Sequence, residues 1–288
     1  MLTRKRVALN RIISPSQGFV EFIKFTAGLR LSQVELRNDL PGKSKIGDII
    51  DGLKPAEALK ISREEGVKII TINALQKFNL PAKRETCLAE LEQLLELCAA
   101  IECPALVLCP NNEKSDKRTP KQKYLDTVDA LGDYGPLFIK YGIIGYVEAL
   151  GFGISSLTSL PPIVGAIKAS GYGCYRVLLD TFHHYIGPDD KSIFGMDGLG
   201  ASYELPYTGL VHISGVEDDI PAEKFLDGNR VLVGPKDKMG NKELIQRLDT
   251  LGYQGVFSYE PFGPAVQKLS PIQLATALEA SFKYLGVK

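Results

Sequence analysis

The sequence predicts a closed (β/α)8 barrel, a single domain over residues 1–288. Three observations predict it. Short aliphatic runs alternate with longer amphipathic ones along the chain, which is the order of a parallel sheet with helical crossovers. Most of those runs are nearly continuous in hydrophobicity, as strands buried on both faces should be. Four of them, all in the second half, carry a polar residue at or near their end. Glu148 closes GIIGYVE, Asp180 closes YRVLLD, His212 sits in GLVHIS and Glu260 closes GVFSYE, at intervals of 32, 32 and 48 residues. Each interval is about one strand-plus-helix unit, the last enlarged by a loop. Strand ends of a closed parallel barrel meet at one rim, so these four side chains are expected to converge there.

The elements follow in order. The first half supplies strands at RVALN (6–10), LSQVELR (31–37), VKIITINA (67–74) and ALVLCP (105–110). The second half supplies IIGYVEAL (143–150), YRVLLDTF (175–182), LVHIS (210–214) and GVFSYEPF (255–262). The clearest helix is Arg84–Ala100, where Leu88, Leu91, Leu94, Leu95 and Cys98 recur at helical spacing. A second is Lys242–Leu251, with Leu244, Ile245, Leu248 and Leu251 on one face. Two long connections, 111–123 after the fourth strand and His184 to about Pro206 after the sixth, leave strand C-termini and should lie over the active face. A doubly wound sheet would need a Gly-rich phosphate turn after the first strand, and LNRIISPSQG is not one.

A chain of 288 residues with 44% hydrophobic content can bury a large core. Its 34 basic and 34 acidic side chains cancel, which points away from nucleic acid and from membrane surfaces. Asn10 and Arg11 interrupt any apolar stretch behind the basic start, so no signal peptide is expected, and no run approaches a bilayer span. The five cysteines are odd in number and form no CxxC pair; reduced thiols in a cytoplasmic protein are expected.

Three carboxylates and one imidazole make a site for a divalent metal, acceptable to Mn²⁺, Zn²⁺, Mg²⁺ or Co²⁺, with no organic cofactor. A carboxylate ending an aliphatic run must be paired, hydrogen-bonded or metal-bound, because desolvating it alone costs several kcal/mol or more. The competing account for Glu148 and Asp180 is a salt bridge to Arg176 or Lys140. Pro261 biases Glu260 toward an extended conformation. His183, three residues beyond Asp180, suits a substrate-facing donor, while His184 is expected to point elsewhere. Arg230 in DGNRVLVG is either a substrate contact or a surface cation. Asn73 suits a substrate hydroxyl. Glu35 in VELR is expected to be structural. Such a site would chelate vicinal oxygens and stabilise an enediolate, with Glu148 and Glu260 moving a proton between adjacent carbons. The expected reaction is isomerisation or epimerisation of a polyhydroxy ketone.

The stretches VELR (34–37), ITINALQKFN (70–79), VEALGF (147–152), VLLDTFHHYIG (177–187), LVHISGVEDDIP (210–221), DGNRVLVG (227–234) and GYQGVFSYEPF (252–262) carry a resemblance. The chain resembles the xylose isomerase-like sugar isomerase/epimerase barrels, and within them the 2-keto-myo-inositol (inosose) isomerases of inositol catabolism. The resemblance implies that Glu148, Asp180, His212 and Glu260 hold the metal. It also implies that Glu148 and Glu260 form the acid/base pair, with His183 and Arg230 near the substrate. Two departures stand out: Gly234-Pro-Lys-Asp237 replaces a common Gly-x-Gly, and Arg11 stands where an acidic or small residue is common. A cation at Arg11 would favour a carboxylated or phosphorylated substrate.

A ketose 3-epimerase and an inosose dehydratase share these parts and remain alternatives. A phosphodiesterase of the same superfamily needs extra histidines on early strands, and strands one to four contain none. A degenerate, sugar-binding barrel would show a broken ligand set, whereas this one is intact. An exposed rim with long loops suits a homodimer.

Overall fold

Eight parallel strands pair in sequence order and close on themselves, β1 against β8. They are β1 (Val7–Asn10), β2 (Gln33–Arg37), β3 (Lys68–Leu75), β4 (Ala105–Leu108), β5 (Ile144–Glu148), β6 (Tyr175–Asp180), β7 (Thr208–Ile213) and β8 (Val256–Tyr259). The helices between and after them are α1 (Phe19–Gly28), α2 (Pro55–Glu64), α3 (Arg84–Ala100), α4 (Pro120–Tyr141), α5 (Leu160–Ser170), α6 (Thr181–Ile186), α7 (Asn241–Thr250), α8 (Pro264–Gln267) and α9 (Pro271–Leu285). The structure, a computed structural model, describes residues 2–43, 45–198 and 200–288. The expected (β/α)8 barrel is present. No helix among the described residues is long and apolar enough to cross a membrane.

Every expected strand forms, and six of the hydrogen-bonded ladders are shorter than the apolar runs, while β3 matches its run in length and β7 begins two residues before its run. Leu31 and Ile143 are buried yet lie outside the strands, because hydrophobicity reports burial rather than pairing. The sixth run ends at Asp180 for a local reason. Its Oδ1 accepts from Phe182 N at 2.7 Å and caps α6, so Thr181 and Phe182 turn into helix instead of continuing the strand. The connection expected at 111–123 is shorter too. Thr119 accepts from Gln122 N, Pro120 occupies the first helical turn, and α4 starts there.

Two apolar cores flank the sheet. The larger packs the outward strand residues against the helices, with Val34, Leu36, Leu106, Val177 and Phe257 facing Leu91, Leu94, Phe138 and Leu248. The smaller fills the barrel from within, through Val107, Leu178 and Leu210, joined by Ile70, Tyr146 and Val256. Above this plug the inward positions turn polar. A third cluster, Phe182, Val216, Phe225 and Met239, roofs part of the rim.

Asn79 ties the upper loops together from beneath. Its side chain donates to Thr127 Oγ1 and accepts from Asn111 N and Ser156 Oγ, so three successive strand-to-helix loops share one buried amide. Arg118 adds a second tie, donating to Asn79 O, Asp116 and Asp126.

Candidate metal centre

Glu148 ends β5, Asp180 ends β6, His212 lies one residue before the end of β7, and Glu260 follows β8 directly. Asp180 and His212 are partners in the β6–β7 register, and Glu260 N donates to Ile213 O, extending the β8 ladder by one residue. All four side chains are buried, and one ligand atom from each lies within 4.8 Å of the others. The structure thus brings together the whole set expected from the sequence. The competing salt bridges do not form: Lys140 pairs with Glu92, and Arg176 donates to backbone carbonyls.

His212 is held from behind by Glu35, whose carboxylate oxygens lie 3.0 and 3.1 Å from Nε2. A proton on Nε2 then leaves Nδ1 facing the acidic group. Nδ1 sits 3.1 Å from Glu260 and 3.6 Å from Glu148, but in no hydrogen-bond geometry. Burial works against a charged imidazole. Glu260, Glu35 and Glu148 outweigh it and hold His212 well above its usual range. Burial likewise pushes the Asp180 carboxyl up to about 7, against the pull of Arg230. This nest of carboxylates calls for positive charge. A buried nitrogen with no partner, aimed at three carboxylates, fits a divalent cation with mixed oxygen and nitrogen ligands.

Glu260 is the most heavily bonded of the four. Its Oε1 accepts from Arg37 Nη1 at 2.6 Å, Asn10 Nδ2 at 3.1 Å and Asn73 Nδ2 at 3.3 Å. Its Oε2 accepts from Arg230 Nη2 at 2.9 Å, and the same nitrogen donates to Asp180 Oδ2 at 2.7 Å. Although burial opposes ionisation, His212, Arg230 and Arg37 hold the Glu260 carboxyl well below the usual range. Glu148 instead accepts from the Cys109 thiol at 3.1 Å. Burial and Glu148 together push that thiol up, so it remains a donor.

A cavity of about 160 Å³ opens beside the group. Asn73, His183 and Arg230, all expected near substrate, line it. His183 stands on α6 with its ring edge-on to Phe152 and Phe182, and its Nδ1 has no partner. Burial and Arg230 lower its pKa to about 3, so it is a neutral imidazole. Arg230 is no surface cation: it is 1% exposed and stacks over Phe182 and Phe262. His184 points elsewhere, toward Asp189 and Phe194.

Glu35 is structural in the sense that it orients His212. The expectation for Arg11 is overturned. It is buried, its guanidinium holds Ile49 O, Gln17 O and Asp51, and it does not line the cavity. A cation locked to a carboxylate and two carbonyls clasps the loops after β1 and β2 and recruits no anion.

Sequence reasoning missed Arg37, Asn10, Cys109, Asp39 and Asp227. The strand-end rule that found Glu148 applies equally to Asn10 and Arg37, which close β1 and β2. Cys109 carried no such signal, because a thiol after an aliphatic run reads as core.

The fold and the group at its C-terminal rim define a barrel with a buried acidic group that could hold a cation beside a small polar cavity. The model of the xylose isomerase-like TIM barrel family matches residues 27–285, and the chain belongs to that family. Among solved structures it is similar to a xylose isomerase domain containing protein from Salmonella typhimurium LT2, at 33% identity over 99% of this chain and 98% of that one, with a TM-score of 0.89. The IolI protein, solved with a bound zinc atom, shares the fold at 16% identity over 97% and 99% of the two chains, with a TM-score of 0.85. A D-psicose 3-epimerase solved in the presence of D-fructose does so at 18% identity over 98% and 99%, with a TM-score of 0.72. No curated protein matches the sequence significantly.

Proposed function

We propose that this chain is a divalent-metal-dependent isomerase or epimerase of a small polyhydroxy ketone, with 2-keto-myo-inositol the leading substrate. The observation that carries the reading is the pair Glu148 and Glu260, set on β5 and after β8 with the partnerless Nδ1 of His212 between them. Family membership and a zinc-bearing neighbour of the same fold support it.

Glu148, Asp180, His212 and Glu260 would hold the ion. Such an ion would supply positive charge to the oxygens of a hydroxyketone and so would ease loss of the proton on the hydroxyl-bearing carbon. Glu148, engaged by a single thiol, keeps lone pairs directed at the cavity and takes that proton. Glu148 then returns the proton to the neighbouring carbon while the hydroxyl proton passes to the former ketone oxygen. Glu260, held ionised by Arg37 and Arg230, would take the proton when a ketone presents its other face. His183 and Asn73 offer neutral hydrogen bonds to substrate hydroxyls. Phe152 and Phe262 wall the cavity and limit water.

Proton NMR of the metal-loaded protein with 2-keto-myo-inositol in D₂O tests the reading. Exchange at the α-carbon with a new ketone product, abolished by EDTA, is the expected result. Loss of water from the ring would replace isomerisation by dehydration. No exchange with this ketone or with ketohexoses would end the proposal.

A further inference from the structure

Arg37, Glu260 and Arg230 form the middle of an alternating chain of charge along one wall of the cavity. Arg37 Nε and Nη2 donate to the two oxygens of Asp39 at 2.7 and 2.8 Å, while Nη1 donates to Glu260. Arg230 donates through Nη2 to Glu260 and Asp180, through Nε to Ser214 at 2.9 Å, and through Nη1 to Asp227 at 3.3 Å. Both guanidinia stack on Phe262, each 5.0 Å from its ring centre. The chain therefore runs Asp39–Arg37–Glu260–Arg230–Asp227, and all five residues line the cavity.

The burial along this chain is graded. Arg37 and Arg230 are 4% and 1% exposed, whereas Asp39 and Asp227 are 37% and 44% exposed. The cations lie inside, and each carries a carboxylate on the side that meets solvent. An arriving anion would meet Asp39 and Asp227 first and find both guanidinia already bonded to carboxylates. Like-charge approach of this kind raises the free energy of the wrong complex more than it stabilises the right one. The groups left without partners are neutral instead: His183 Nδ1 and Asn112 Oδ1, both in residues lining the cavity. A hydroxyl can donate to the Asn112 carbonyl and can pair with the neutral imidazole as donor or acceptor; a phosphate or carboxylate oxygen cannot donate to that carbonyl.

We propose that Asp39 and Asp227 are specificity-determining residues, an anion filter that restricts this site to neutral polyhydroxy ketones. The inference rests on the proposed function for the identity of the site. It assigns a role to two cavity-lining residues that neither the four-residue acidic group nor the acid/base pair includes. It also reverses the expectation attached to Arg11: the cations near this site disfavour a charged substrate because each is already neutralised.

The test is calorimetric titration of the metal-loaded protein with D-fructose and 2-keto-myo-inositol, and with two anions, D-fructose 6-phosphate and 2-keto-D-gluconate. Neutral ketones should bind at least about tenfold more tightly than the anions. Asp39→Asn and Asp227→Asn should each narrow that preference, the anions gaining more than the neutral ketones. Two separate variants keep the comparison alive should one fail to fold, which melting curves will show. An anion that binds the unaltered protein as tightly as its neutral counterpart overturns the proposal. So does a preference unchanged in both variants, or the failure of every neutral ketone to bind. Deuterium exchange separates the two readings: discrimination without exchange removes the reaction and leaves the filter, and exchange without discrimination does the reverse.

Discussion

Glu35 shows how one residue outside the acidic group sets what that group can do. By accepting from His212 Nε2 it fixes the tautomer that presents Nδ1 to the carboxylates. Glu35→Gln keeps the shape but can turn its amide donor toward the ring and favour the wrong tautomer. Metal affinity should fall by about 10- to 100-fold, read by competition with a chromogenic chelator. His183 gives a prediction in pH. Its pKa is about 3 in the folded chain, against an ordinary histidine value near ~6.5 when unfolded. The unfolded state therefore binds the proton more readily, and stability is lost as the pH falls from ~6.5 toward ~3, by at most about 5 kcal/mol. His183→Asn should flatten the acid limb of a urea-stability profile over that window. An unchanged limb would mean that His183 is not held neutral.

Short elements and loops place these residues, and their backbones leave little slack. Gly151, in the loop after β5, runs so close to α6 that a Cβ there would lie 2.1 Å from His183 O and 2.8 Å from Gly187 N. Gly151→Ala must push α6 outward and carry His183 with it. We expect a loss of about 1–3 kcal/mol in stability and a rise in KM larger than the fall in kcat, measured by denaturant titration and by steady-state kinetics. Asn79 binds the same region from below. Asn79→Ala leaves Thr127, Asn111 and Ser156 without their shared partner at about 1–3 kcal/mol for each buried group left unsatisfied. Its melting temperature should fall by several degrees, at about 2–4 °C per kcal/mol.

At the scale of the molecule, the rim gathers more negative charge than its own cations balance. An ion bound there would stabilise the fold as well as serve the proposed chemistry. At a free ion concentration about 100 times its dissociation constant, the native state should gain about 2.7 kcal/mol, or about 5–10 °C in melting temperature. Differential scanning calorimetry of the protein stripped with EDTA and then reloaded with Zn²⁺ or Mn²⁺ would read this directly. An identical trace in both states would mean that the four residues hold no ion.

The barrel was legible in the sequence because its strands are buried on both faces, and that burial writes continuous aliphatic runs at regular intervals. Glu148, Asp180, His212 and Glu260 were legible for the same reason: a polar residue ending such a run has few explanations. Asn73, His183 and Arg230, singled out in the sequence, line the cavity, although the sequence left Arg230 between substrate and solvent. Tertiary structure alone decided that Arg230 is buried between Asp180 and Glu260, and that Glu35 turns to His212. It also decided that Arg11 is locked to Asp51, and that Asp39 and Asp227 cap the two site arginines. Those pairings join residues up to 177 positions apart, as Glu35 and His212 are. Local pattern reports whether a side chain is covered. Only closure of the barrel sets which charge it meets there.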